Sequence, residues 1–236
     1  MVSIADIIVN LKAAGGDSII SFGGANGSEA ATFKDATSLA AAYQGVIDKY
    51  KVNSLDFDIE GAWVTNTQAN IMRDQALVAI EKANPDLTVV FSLPVLETGL
   101  NADGLAVLNQ AKKDGVRIDV VNIMAMDYGG PVSDMGQASI NAAAATIQQL
   151  KSIGLNAKVG VTPMIGVNDV AGETFTLANA TALAQWAAAH SSDVASLGMW
   201  SLARDNGSTA GSPVASATGS GLSQADWAFS NIFDMI

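Results

Sequence analysis

Hydrophobic and polar positions follow two rhythms along this chain. Six short runs rich in β-branched residues predict buried parallel strands: SIISFGG (18–24), SLDFDIE (54–60), LTVVFSLPV (87–95), IDVVNIMAM (118–126), KVGVTPM (158–164) and SLGMWSL (196–202). Between them, SLAAAYQGVIDKY, NIMRDQALVAIEKAN, GLAVLNQAKKDG, INAAAATIQQLKSIG and ATALAQWAAAHSS carry apolar residues at helical spacing. Strand and helix alternating throughout implies right-handed βα units and an α/β fold on a parallel sheet. Helices often end at Gly or Asn just before the next strand, and no strand is followed by GxGxxG or a phosphate loop. Both features favour a TIM-type (β/α) barrel over a doubly wound sheet.

A barrel of that type is built from eight βα units, whereas the chain offers six strands preceded by a helix in MVSIADIIVNLKAAGG. From Asp205 onward the tail reads as a small-residue loop and a short helix. The expectation is a single domain over residues 1–236, a truncated barrel of about six units lacking the first two. Unpaired edges on the strands at Ser18 and Ser196 would then pair with a second copy, making a homodimer, or curl together into a smaller barrel.

Composition narrows the chemistry. With 236 residues, 49% of them hydrophobic, the chain can bury a large core. A formal charge of -11 argues against nucleic acid or an anionic membrane as partner and leaves a neutral or cationic ligand as the natural one. There is no cysteine and a single histidine, His190, so thiolate chemistry and a His cluster for a metal are excluded, and no cofactor is expected. Asp6 and Lys12 interrupt the amino-terminal segment, which therefore lacks the pattern of a signal peptide. No run is long enough to span a bilayer, so a soluble molecule is expected, whose export signal, if it is secreted, lies outside this chain.

Carboxylates remain, and the second strand gathers three of them. In SLDFDIE, Asp56, Asp58 and Glu60 alternate with Leu55, Phe57 and Ile59. Side chains at i and i+2 of a strand share a face at spacings of roughly 7 Å. The apolar set should pack under the helices while the acids face the lumen, with Glu60 at the carboxyl end where barrel enzymes keep their chemistry. Carboxylates crowded in this way cannot all ionise, so at least one should be raised into the range of a general acid.

At this point the chain resembles the glycoside hydrolase family 18 chitinases, of bacterial type, whose signature strand reads DGxDxDxE. Asn53 and Ser54 replace its first two residues, and Asp56, Asp58 and Glu60 fill the acidic positions. Further landmarks occur in the family's order: SFGG (21–24) for the SxGG strand, MDYG (126–129) for the M-x-Y-D/N strand end, and MWSL (199–202) for the final strand with its tryptophan. The closing SGLSQADWAFSNIF is similar to the tail of bacterial members.

The resemblance implies a hydrolase of β-1,4-linked N-acetylglucosamine polymers or oligomers, acting with retention through the substrate's own acetamido oxygen. On that pattern Glu60 would protonate the leaving oxygen and later activate water, Asp58 would orient the acetamido group, and Asp56 would share a proton with Asp58. Tyr128 would hydrogen-bond the acetamido carbonyl. Trp200 would floor the sugar at the cleavage point and Met126 would line the same pocket. Secretion and a chitin or chito-oligosaccharide partner come with the family. Gly129 stands where many relatives have Asp or Asn, while Asp127 precedes Tyr128 and would point away from the lumen.

Blander readings compete. Alternating carboxylates can hold a hard cation, but a wider ligand set with backbone or Asn oxygens is not evident. A lectin-like relative that binds sugar without cutting would usually have lost the acid, and Glu60 is present; an endo-β-N-acetylglucosaminidase also fits. Trp186 and Trp227 are expected to pack on helices, Trp63 to line a loop subsite or cover the rim, and Ser21 and Gly23 to shape the lumen beneath the acids. His190 ends a helix, where a cation suits the dipole.

Overall fold

The structure, a computed structural model, describes residues 3–234. Met1 and Val2 of the expected amino-terminal helix lie outside that range. The strands are β1 (Ile20–Gly23), β2 (Ser54–Asp58), β3 (Thr88–Pro94), β4 (Val120–Met124), β5 (Lys158–Thr162), β6 (Gly166–Val167), β7 (Thr174–Phe175) and β8 (Val194–Leu197). The helices are α1 (Ile4–Ala13), α2 (Ala36–Tyr50), α3 (Thr67–Ala83), α4 (Ala102–Asp114), α5 (Met135–Ser152), α6 (Leu177–Ala189) and α7 (Ala228–Phe233). All six expected strands form, and the α/β alternation is borne out. β6 and β7, an antiparallel pair, were not expected. The last expected strand begins two residues earlier and stops at Leu197.

The chain divides into two compact units, Met1–Ser92 with Ala102–Val120, and Leu93–Asn101 with Val121–Ile236. In the first, β2 pairs in parallel with β1 and with β3. The alternation read from the sequence is real: Leu55, Phe57 and Ile59 are buried while Asp56, Asp58 and Glu60 are half-buried. Phe57 anchors the apolar side, with ring centroids 5.6 Å from Phe22, 5.2 Å from Tyr43 on α2 and 5.9 Å from Phe91 on β3. Asp35 and Asn66 cap α2 and α3, accepting from the N–H groups of Ser38 and Ala69. A buried polar cluster ties these helices to the loop before α2. Glu29 accepts from Arg73 Nε at 2.7 Å and from the Tyr43 hydroxyl at 2.8 Å, and Arg73 also reaches Asn70. Pairing makes such burial tolerable, since an unmatched guanidinium there would be strongly unfavourable.

In the second unit β5 pairs in parallel with β8 across a register shift at Val159/Gly160. The Thr162 hydroxyl donates to Asn122 on β4 at 2.9 Å. The amino ends of α5 and α6 are joined: Thr176 and Asn179 form a capping box, and Asn179 also donates to Asp134, the cap of α5. Gly136 lets these helices meet, because a Cβ there would lie 2.8–2.9 Å from Asn179 atoms. Beyond β8 a short turn carries two buried charges. Arg204 donates to the carbonyls of Ile165, Val167 and Ser216. Asp205 accepts from the N–H groups of Phe229 and Ser230, the Ser230 hydroxyl and Gln224. Asp205 thereby seats α7 without a cation. Among the described residues, no helix is long and apolar enough to cross a membrane.

Candidate active site

The acids stand on the face of β2 opposite the aromatic cluster. Asp56, the deepest, is held from both neighbouring strands: Ser21 on β1 donates to Oδ2 at 2.6 Å and Ser92 on β3 donates to Oδ1 at 2.7 Å. Burial pushes the Asp56 carboxyl up, and the two hydroxyls oppose that rise. Asp58 is raised much further, to about 7, first by burial and then by the charges of Glu60 and Asp56, with a hydrogen bond shared with Glu60. A proton held at Asp58 near neutral pH is what three crowded carboxylates require.

Glu60 lies outside the regular strand, correcting its placement in the run 54–60. β2 ends at Asp58, Ile59 still donates to the Ser92 carbonyl, and Glu60 heads a short 3-10 turn over Gly61–Trp63. Gly61, at φ 54°, takes the chain out of the extended conformation. The acid thus sits at the strand's carboxyl end on a backbone fixed by β3. Gly23 supports the same place. Its N-terminal neighbours pair with β2, its φ is 98°, and a Cβ would lie 2.2 Å from the Asp58 carbonyl oxygen, so only glycine fits. Gly24 N–H donates to that oxygen at 2.9 Å. Trp63 is half-buried in the turn after Glu60.

The other expected site residues belong to the second unit. Met126 and Tyr128 follow β4 and are half-buried. The Tyr128 hydroxyl is buried and makes no hydrogen bond, and burial pushes it above its ordinary range. Asp127 is in the left-handed region at φ 49° and accepts from Val170 N–H at 2.9 Å, turned aside as its position implied. Trp200 lies three residues past the end of β8, so it is not in a regular strand. It is nevertheless held beside Met164, donating to the Pro163 carbonyl and accepting from Ile165 N–H, and its side chain is 58% exposed. An exposed indole on a fixed backbone suits a sugar platform.

Two readings of other aromatics change. Trp227 precedes α7 with φ 63° and is 54% exposed, so it does not pack within a helix. His190 does end α6, and it stacks on Trp186 with centroids 4.4 Å apart while Nδ1 meets the Trp186 carbonyl at 2.7 Å. Sequence reasoning missed Ser92, whose hydroxyl reaches Asp56 from the next strand, and Glu173, fully buried near Tyr128.

Paired carboxylates with shifted protonation, at the carboxyl end of a strand in an α/β fold, define a glycoside hydrolase type of site. No family model matches the chain. Two curated proteins are each 37% identical to it over 83% of its residues, the probable bifunctional chitinase/lysozyme of Escherichia coli K12 and endochitinase 11 of Metarhizium anisopliae. The chain spans 24% of the first and 41% of the second. The solved active domain 2 of the chitinase from Pyrococcus furiosus is 33% identical, with a TM-score of 0.88 over 99% of this chain and 77% of that one. The chain belongs to the family 18 chitinases.

Proposed function

We propose that this chain hydrolyses β-1,4 bonds between N-acetylglucosamine units in chitin or soluble chito-oligosaccharides. The observation that carries this reading is the Asp56–Asp58–Glu60 array with a proton held at Asp58 near neutral pH. In the substrate-assisted retaining route, Glu60 protonates the leaving oxygen and then activates water. Asp58 orients the acetamido group and stabilises the positive charge that develops on it. Asp56, fixed by Ser21 and Ser92, adds a negative charge that favours the protonated form of Asp58. Tyr128 hydrogen-bonds the acetamido carbonyl, Trp200 stacks on the sugar, and Met126 and Trp63 line its binding site. The Pyrococcus furiosus domain has been solved with chito-oligosaccharides, which favours the same substrate class here.

Release of the fluorophore from a labelled chito-oligosaccharide by the intact protein and by Glu60→Gln tests the assignment. Loss of a general acid costs about 10²–10⁴-fold, and a Glu60→Gln rate equal to the parent's would overturn it. Secretion and self-association are part of the same proposal. The strand edges of β1 and β8, together with the exposed Ile4, Ile7, Val9 and Ile19 in the first unit, favour pairing with a second copy. Sedimentation that stays monomeric at high concentration would count against pairing.

A further inference from the structure

The unexpected β6–β7 hairpin encloses a carboxylate for which the mechanism above has no use. Glu173 is 0% exposed, and neither of its oxygens makes a hydrogen bond at full geometry. A buried carboxylate without a cation is costly and calls for a compensating dipole. The backbone N–H groups of Tyr128, Asp127 and Gly130 supply one: all three act on the Glu173 carboxyl and favour its charged form. Burial and the nearby Asp127 push that carboxyl up, and the N–H groups pull it back. The cationic neighbour of this region, Arg204, spends its guanidinium on the Ile165, Val167 and Ser216 carbonyls.

The hairpin and the segment 127–132 interlock at further points. Val170 N–H donates to Asp127 Oδ1 at 2.9 Å, and Val132 bridges to Glu173. Gly172 sits so close to Pro131 that a Cβ would lie 2.8 Å from it. The segment itself is held in an uncommon conformation, with φ 49° at Asp127 and 92° at Gly129, on the two sides of Tyr128. Such a backbone persists only where its surroundings over-determine it.

We infer that Glu173 is a positioning residue: its carboxylate, sealed beneath the 127–130 turn, holds the N–H groups of Asp127, Tyr128 and Gly130 and so sets where the Tyr128 hydroxyl stands. The inference rests on the hydrolase reading for the role of that hydroxyl, and on the geometry alone for the hold. Glu173→Gln keeps the volume but removes the charge and turns amide hydrogens toward N–H groups.

The test combines kinetics with amide exchange. On a fluorogenic chito-oligosaccharide, Glu173→Gln is expected to lower kcat about 10- to 100-fold with KM nearly unchanged. In a Tyr128→Phe background the same change should add less than about twofold, because the effect runs through the lost hydroxyl. Exchange of the Tyr128 and Gly130 amides should quicken in Glu173→Gln while α5 and α6 keep their protection. A full loss in the Tyr128→Phe background, or unchanged exchange at Tyr128 and Gly130, would refute the inference. If the parent protein shows no hydrolysis, the hydrolase reading fails, and the exchange arm alone decides the hold. If the Gln variant does not fold, Glu173→Asp, which withdraws the charge by one methylene, is read by the same exchange.

Discussion

Replacing Asp74 with asparagine is expected to stabilise the first unit above neutral pH and to leave it nearly unchanged in mild acid. Asp74 on α3 is 1% exposed, and its Oδ2 has no hydrogen-bond partner. It faces Asp114 at the end of α4, which accepts from Gln110 at 2.7 Å, while the adjacent Arg73 guanidinium is committed to Glu29 and Asn70. Burial lifts the Asp74 carboxyl from 3.8 to about 7, with Arg73 opposing the rise and Asp114 adding to it. The folded value lies above the unfolded one, so the favourable contribution is complete below about pH 4 and is lost as pH climbs to about 7. At about 1.4 kcal/mol per pH unit this amounts to roughly 4 kcal/mol. Relaxation around the charge reduces the usable part to about 2–4 kcal/mol. Urea unfolding of the parent and of Asp74→Asn at pH 4, 6 and 8, with exchange at α3 and α4 amides to localise it, measures the difference. The two free-energy curves should converge in acid and separate with rising pH. Parallel curves would show that Asp74 is charged in the fold and the reasoning mistaken.

Gly23→Ala should cost at least about 2 kcal/mol, from a left-handed alanine plus a Cβ placed 2.2 Å from the Asp58 carbonyl, and should lower both the melting temperature and hydrolysis. Asp205→Ala removes the acceptor of two backbone N–H groups and the Ser230 hydroxyl; a loss of about 3 kcal/mol, with amides of 228–233 exchanging first, is the expected outcome in hydrogen-exchange mass spectrometry.

The six main strands were legible because each is a compact run of β-branched residues between helical spacings. The acidic face of β2 was legible because a period of two is unambiguous when three acids alternate with three apolar residues. Local patterning could not disclose what crosses between strands. Nothing in LTVVFSLPV marks Ser92 as the donor to Asp56, 36 residues away. The β6–β7 hairpin escaped because each arm has only two residues, too few for any period. Glu173 was hidden with it, and its one signal was a lone acid among small and apolar residues in DVAGETF. Trp227 was misread because ADWAFSNIF has helical spacing throughout, whereas the helix begins one residue later at Ala228. The end of β2 before Glu60 depended on a single glycine torsion, which composition does not encode.

Asp205 gives the tail a property that its small-residue sequence conceals. The stretch between Asn206 and Trp227 leaves and returns to one carboxylate, so its two ends are tied while its middle, near the 69%-exposed Val214, is open to solvent. The entropy of closing a tethered loop grows only slowly with length. Added residues near Val214 should therefore be absorbed at little cost, which makes this loop a natural place for lineages to diverge in length. Removing the chain from Ser230 onward is a different matter, because it takes away two of the groups that neutralise Asp205 and turns a satisfied anion into a buried, unpaired one. Within one short tail, variability and indispensability lie about fifteen residues apart.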